Sequence, residues 1–155
     1  MWNVIDLSYG GNIGCDKPTS IFDTVARHFQ MEQQLVEWER TLPLNLALRR
    51  SQDIPWEEDD GHLLERFRVI LTLRYHNSRI LLHRPILVKF LDISGKPDSG
   101  GQELILLQQI GSNSVQSCVQ SSMEIISIVN SIVHSTGKRR GNLGAWWFSL
   151  YYSTQ

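Results

Sequence analysis

The sequence predicts an all-α protein: an antiparallel assembly of about four main helices, with an irregular segment at the amino terminus. Apolar residues recur at steps of three and four along several long stretches, and Gly-, Ser- and Pro-rich connections separate these stretches. Strand-like alternation is confined to Leu44, Leu46 and Leu48, which have no second strand to pair with. We therefore expect this short segment to be extended and to bury its leucines against the helices.

The first helix is predicted from about Ser20 to Arg40. Ser20 can cap its amino end, and Asp23 stands at the reciprocal capping position. Leu42-Pro43 should end it, because a residue before proline disfavours helical backbone angles.

The central stretch, His62 to Leu91, is the helix around which we expect the rest of the chain to pack. At one hundred degrees per residue its broad apolar face holds Leu63, Leu64, Phe67, Ile70, Leu71, Tyr75, Leu81 and Leu82. A second apolar strip contains Val69, Leu73 and Ile80. The remaining polar stripe is formed by Glu65, Arg68, Thr72, His76, Arg79 and His83. A helix that is apolar over more than half its circumference is usually enclosed by neighbours.

Pro85 interrupts this pattern. Proline lacks a backbone donor and clashes with the preceding turn, so it should end or kink the helix near Leu82 to Arg84. Pro85 would then open a short second segment, Ile86 to Leu91.

Two more helices are expected after the flexible connection Asp92 to Gly101. The longer runs from about Gln102 to Ser135. Its apolar or small positions recur at Leu104, Leu107, Gly111, Val115, Cys118, Ser122, Ile125, Val129 and Ile132. Small side chains, such as Gly111, Ser114 and Ser122, would let another helix approach closely. The second is the aromatic stretch Asn142 to Tyr152, which we expect to be helical but interrupted, so that its rings form a large exposed apolar patch.

Composition excludes several classes of protein. A formal net charge of −1 argues against a surface that coats nucleic acid. Two cysteines, Cys15 and Cys118, cannot form a zinc cluster or a disulfide framework. No run reaches the roughly 18 apolar residues of a membrane span. The acidic run Glu57 to Asp60 fits a solvated loop before a helix better than a cation site.

The histidines do not point to catalysis or to a metal. His76 and His83 share one helix face two turns apart, and the residue between them is Arg79, whose charge would repel a cation. We therefore predict no metal site, no cofactor and no catalytic residue. A small metal-dependent helical enzyme using His76, His83 and the carboxylates at 57–60 remains an alternative.

Arg74 is the most informative charged residue, because it falls in the middle of the broad apolar face. A buried arginine is costly unless it is paired. It could pair with an internal acid, extend along the helix to water, or bind an anionic group.

The segment LRYHNSRILLHRPIL, Leu73 to Leu87, resembles the core of the fungal-specific transcription factor domain. That domain is the regulatory middle region of fungal zinc binuclear-cluster activators. Three other landmarks agree in order: Leu35 to Pro43, Cys118 to Ile132 and Gly144 to Tyr152.

The resemblance implies a nuclear, non-catalytic regulatory module that forms a single partial domain, a fragment of a regulator. The six-cysteine DNA-binding cluster of such activators is absent from the sequence, so direct nucleic acid binding is not expected. Expected partners are other parts of a transcription factor, a homologous regulator or a small-molecule effector, with no membrane. Candidate effector contacts are Arg74, His76, Arg79 and His83. An inactive structural remnant is the remaining alternative.

Overall fold

A computed structural model describes residues 21–53, 62–94 and 102–134 of the chain. These residues form three long helices: α1 (Ile21–Thr41), α2 (His62–Ser94) and α3 (Gln102–His134). The all-α prediction is confirmed, since no strand occurs within these ranges. The predicted aromatic helix, the acidic run and the irregular amino-terminal segment lie outside the described residues.

Helix α1 ends where the sequence predicts, immediately before Leu42-Pro43. The Thr41 hydroxyl donates to the Trp38 carbonyl at 2.9 Å, and the Leu42 amide donates to the Glu39 carbonyl at 3.3 Å. These bonds satisfy carbonyls that the helix itself leaves open at its carboxyl end.

The leucine segment after α1 is not extended, so that prediction is wrong. Leu44–Leu46 forms a 3-10 turn, in which the Leu46 amide donates to the Pro43 carbonyl at 2.8 Å. Leu44 is 92% exposed. The fixed backbone angle of Pro43 favours a turn, and this turn points Leu44 into solvent. A second 3-10 turn follows at Ser51–Asp53.

Helix α2 continues through Pro85 and ends only at Ser94, so Pro85 does not end the helix, whereas the alternative of a kink near Leu82 to Arg84 stays a prediction. Proline inside a helix costs about 3 kcal/mol in isolation. Buried side chains flank it on both sides, with Leu82 and His83 before it and Ile86 after it. Burial of these side chains offsets the missing backbone hydrogen bond.

The buried face of α2 differs from the predicted one. Phe67, on the predicted apolar face, is 55% exposed, whereas Val69 and Leu73 of the second strip are buried. Thr72 and His83 of the polar stripe are also buried. The polar stripe therefore turns partly inward. The enclosure expected for this helix still holds, because only seven of the 29 residues at 64–92 are exposed.

Helix α3 buries one narrow seam with spacings that alternate between four and three residues. The seam contains Leu107, Gly111, Ser114, Cys118, Ser121, Ile125, Ile128 and Ile132. An ideal Cβ on Gly111 would lie 2.5 Å from the Phe90 ring of α2, which confirms that Gly111 permits a close approach. Ser121, rather than the predicted Ser122, belongs to the seam.

The chain divides into two compact units, each assembled from separate stretches of sequence. The first unit comprises Met1–Val36 and Ser78–Gln120, and the second comprises Glu37–Asn77 and Ser121–Gln155. Among the described residues, none of the helices is long and apolar enough to cross a membrane.

Candidate ligand site around His83

The first unit contains a cluster of two buried histidines and one half-buried glutamate. His28 and Glu32 stand one turn apart on α1, and His83 faces them from α2. Glu32 Oε2 is 3.5 Å from His28 Nε2, and Glu32 Oε1 is 3.5 Å from His83 Nε2. The two imidazole rings meet edge to face, with centroids 4.6 Å apart. One carboxylate therefore lies against both rings.

Ser114 of α3 completes the surroundings of His83. Its Oγ lies 3.3 Å from His83 Nδ1, and both residues have no exposed surface. If Nδ1 carries the proton and donates to Ser114, Nε2 keeps a free lone pair directed towards Glu32. Nε2 has no hydrogen-bond partner of its own among the described residues, and neither does His28 Nδ1.

Both histidines favour the neutral state at pH 7. Burial lowers the pKa of His83 to about 4, and the charges of His28 and Arg79 act in the same direction. Burial also lowers the pKa of His28, against the opposing effects of Glu32 and the backbone of Leu82. The contacts with Glu32 are therefore not ion pairs at neutral pH, because an uncharged imidazole has no charge to pair.

Two neutral imidazoles and a carboxylate are donors that zinc and related transition metals accept. One ring nitrogen of each histidine and one carboxylate oxygen lie within 4.8 Å of one another. From the sequence, His83 shares a helix face only with His76, so this arrangement is not predicted. The spacing of His28 and Glu32, four residues apart on one helix face, was the available signal. The contribution of His83 from another helix was not visible in the sequence.

The four predicted effector contacts have different surroundings. Arg74 is exposed, so its expected burial within an apolar face is wrong, because α2 presents another side to its neighbours. His76 is half-buried, and its ring centroid lies 5.3 Å from that of Tyr75. Arg79 is half-buried and His83 fully buried. Arg74 and His76 belong to the second unit and Arg79 and His83 to the first, and their roles as effector contacts stay predictions.

The second unit is built around a polar network that the sequence did not reveal. Arg49 donates to Glu65 through Nε and Nη2, at 3.0 and 3.2 Å. The Arg49 amide donates to Thr72 Oγ1 at 2.9 Å, and Arg68 Nε donates to the Ala47 carbonyl at 3.0 Å. The connection after α1 is thereby fixed against the polar stripe of α2.

The same connection also reaches α3, because the Ser51 amide donates to Glu124 Oε1 at 2.9 Å. Nearby, Tyr75 donates its hydroxyl to Glu39 Oε2 at 2.7 Å and stacks on Trp38, with ring centroids 6.2 Å apart. These bonds hold the segments together and fit a structural role.

Comparison with known proteins gives the clearest indication of function. Over 148 residues the chain is 30% identical to transcription factor FBD3 of Gibberella moniliformis. Over 128 residues it is 33% identical to transcription factor FBD3 of Fusarium pseudograminearum. Over 125 residues it is 27% identical to sorbicillinoid biosynthetic cluster transcription factor 2 of Penicillium rubens. The chain is related to fungal transcription factors.

The alignments cover 94%, 79% and 79% of this chain, but only 19%, 16% and 17% of the three relatives. The chain thus spans less than one fifth of the length of each. No family model matches the chain, and no solved structure matches it. The relation to transcription factors is therefore carried by the sequence alignments, and the fold by the helices described above.

Proposed function

We propose that the chain is a non-catalytic regulatory module of a fungal transcription factor and acts in the nucleus. The observation that carries this proposal is the 30% identity to transcription factor FBD3 over 94% of the chain. The segment Leu73 to Leu87, which resembles the fungal-specific transcription factor domain, lies within helix α2. The module is a single partial domain that works through its contacts with other parts of a larger regulator.

The helices supply a mechanism based on packing. The Arg49 amide donates to Thr72 of α2, and His83 of α2 contacts Ser114 of α3. A change in either contact leaves a polar group unsatisfied. An effector that binds one packing arrangement better than another shifts the population between them. Arg74, His76, Arg79 and His83 are the candidate contacts, with Arg74 the most accessible because it is exposed.

A reporter assay tests this role. The chain is placed between a heterologous DNA-binding domain and an activation domain in yeast, and reporter output is compared with that of an unstructured linker of equal length. A regulatory module should lower or modulate activation by several-fold, with equal protein levels by immunoblot. Output equal to that of the linker, with the fusion folded and nuclear, would contradict the proposal.

DNA binding is tested separately with the purified chain. A transcription factor also contains segments that do not bind DNA, so similarity to one does not by itself predict that this chain binds DNA. The chain has net charge −1, so we expect only weak, salt-sensitive association with duplex DNA. A salt-resistant and sequence-selective shift would show that the chain itself reads DNA, and the regulatory proposal would then fail.

A further inference from the structure

We propose that His28, Glu32 and His83 form a three-ligand site for a divalent transition metal, with Zn²⁺ the favoured ion. The proposal goes beyond the regulatory role and does not depend on it, because it rests on the geometry of the first unit alone. All three residues lie between helices α1 and α2 within that unit.

The distances agree with a ligand set. Donors about 2.1 Å from a tetrahedral zinc ion lie about 3.4 Å from one another. Glu32 Oε2 lies 3.5 Å from His28 Nε2, and Glu32 Oε1 lies 3.5 Å from His83 Nε2. One ligand atom from each of the three residues lies within 4.8 Å of the other two. A hydrogen bond would explain such a distance equally well, but His83 Nε2 makes none among the described residues. A buried nitrogen that faces a carboxylate without bonding to it needs another explanation, and a shared cation supplies one.

The orientation of His83 also suits metal binding. A metal-binding histidine usually hydrogen-bonds through its second nitrogen, which fixes the ring, and Ser114 Oγ occupies that position at 3.3 Å. With three protein ligands, the fourth position of a tetrahedral ion goes to water.

Arg79 opposes a cation at this site. It stands one helical turn before His83 on α2, so its charge lies near the site. The negative charge of Glu32 offsets this repulsion. We therefore expect removal of the Arg79 charge to tighten metal binding and removal of the Glu32 charge to weaken it.

The test is calorimetric titration of the 155-residue chain, free of added histidines, with ZnCl2. We expect one strong site per chain, weakened at least about 100-fold by Glu32→Gln and by His83→Gln, and tightened by Arg79→Gln. The exposed Glu37 and His134 supply matched controls, Glu37→Gln and His134→Gln, which should bind zinc like the parent chain. Circular dichroism verifies that Glu32→Gln, a substitution of nearly equal size, keeps its helices.

Two further measurements keep the result interpretable if His83→Gln unfolds. At a free zinc concentration 100-fold above Kd, the unfolding midpoint of the parent should rise by about 5–10 °C, and that of Glu32→Gln should not. Co²⁺ should give the visible bands of a four-coordinate site without thiolate charge transfer. Absence of binding to the parent at about 1 mM zinc, or equal binding to the parent and Glu32→Gln, would overturn the proposal.

Discussion

Arg49 binds both carboxylate oxygens of Glu65, across sixteen residues of sequence. Its Nε lies 3.0 Å from Oε1, and its Nη2 lies 3.2 Å from Oε2. Their side chains are 26% and 19% exposed, so the pair is only partly screened by water. Such paired, charged hydrogen bonds give direction as well as energy, and this pair holds the connection after α1 against α2.

Glu65→Gln should therefore destabilise the chain by about 1–2 kcal/mol, because the amide keeps the size of the side chain but loses the charge. Urea unfolding followed by circular dichroism measures the change. Glu37→Gln, at an exposed position of α1, should alter stability by less than about 0.5 kcal/mol. Equal losses for the two variants would mean that the Arg49 contact contributes nothing to folding.

Gly111→Ala should destabilise the chain although alanine is the better helix former. The new Cβ would lie 2.5 Å from Phe90 Cγ and 2.8 Å from Phe90 Cβ, so α2 and α3 would have to separate within the first unit. Overpacking of this kind costs about 1–3 kcal/mol, against about 1 kcal/mol gained in helix propensity. The exposed Asn113→Ala has the gain without the clash and should stabilise. If Gly111→Ala also stabilises, the close approach is not real.

Pro85→Ala should stabilise the chain by about 1–3 kcal/mol. The substitution restores the amide that bonds the Leu81 carbonyl and removes the clash with the preceding turn. Chemical denaturation compares it with Arg84→Ala at the neighbouring exposed position, which should have little effect. A loss of stability in Pro85→Ala would show instead that the packing of α2 requires the backbone shape that proline imposes.

Cys118 should react slowly with thiol reagents in the folded chain. It is buried on α3, and burial raises the pKa of its thiol, which Arg79 only partly opposes. A raised pKa leaves less of the reactive thiolate at any given pH. In a Cys15→Ser background, modification at pH 8 should be at least about 10-fold slower than in urea. Comparable rates in the two conditions would place Cys118 at an accessible position.

The sequence predicts the helices well because periodicity and end signals are local properties. The end of α1 before Pro43 and the bounds of α3 agree within one residue. The orientation of α2 could not be predicted, because its polar residues find partners far away in sequence. Thr72 bonds Arg49, and His83 faces Glu32 and Ser114. An orientation argued from hydrophobicity alone treats such residues as solvent-facing.

The candidate site was missed for the same physical reason. Two of its three residues, His28 and Glu32, stand one turn apart and can be predicted from their spacing, but the third, His83, comes from a different helix. The prediction that Arg74 is buried is wrong, because the side of α2 that carries Arg74 and the exposed Phe67 faces solvent. The site around His83 and the exposure of Arg74 both depend on contacts between residues distant in sequence, which local preferences do not predict.

The hydroxyls along the seam of α3 have an evolutionary consequence. Ser114 and Ser121 are buried, and Ser121 Oγ has no hydrogen-bond partner among the described residues. Ser121→Ala would remove the free-energy cost of burying this hydroxyl, and alanine is small enough to fit the same position. The substitution should therefore stabilise the fold, and we expect lineages selected for growth at high temperature to replace this hydroxyl early.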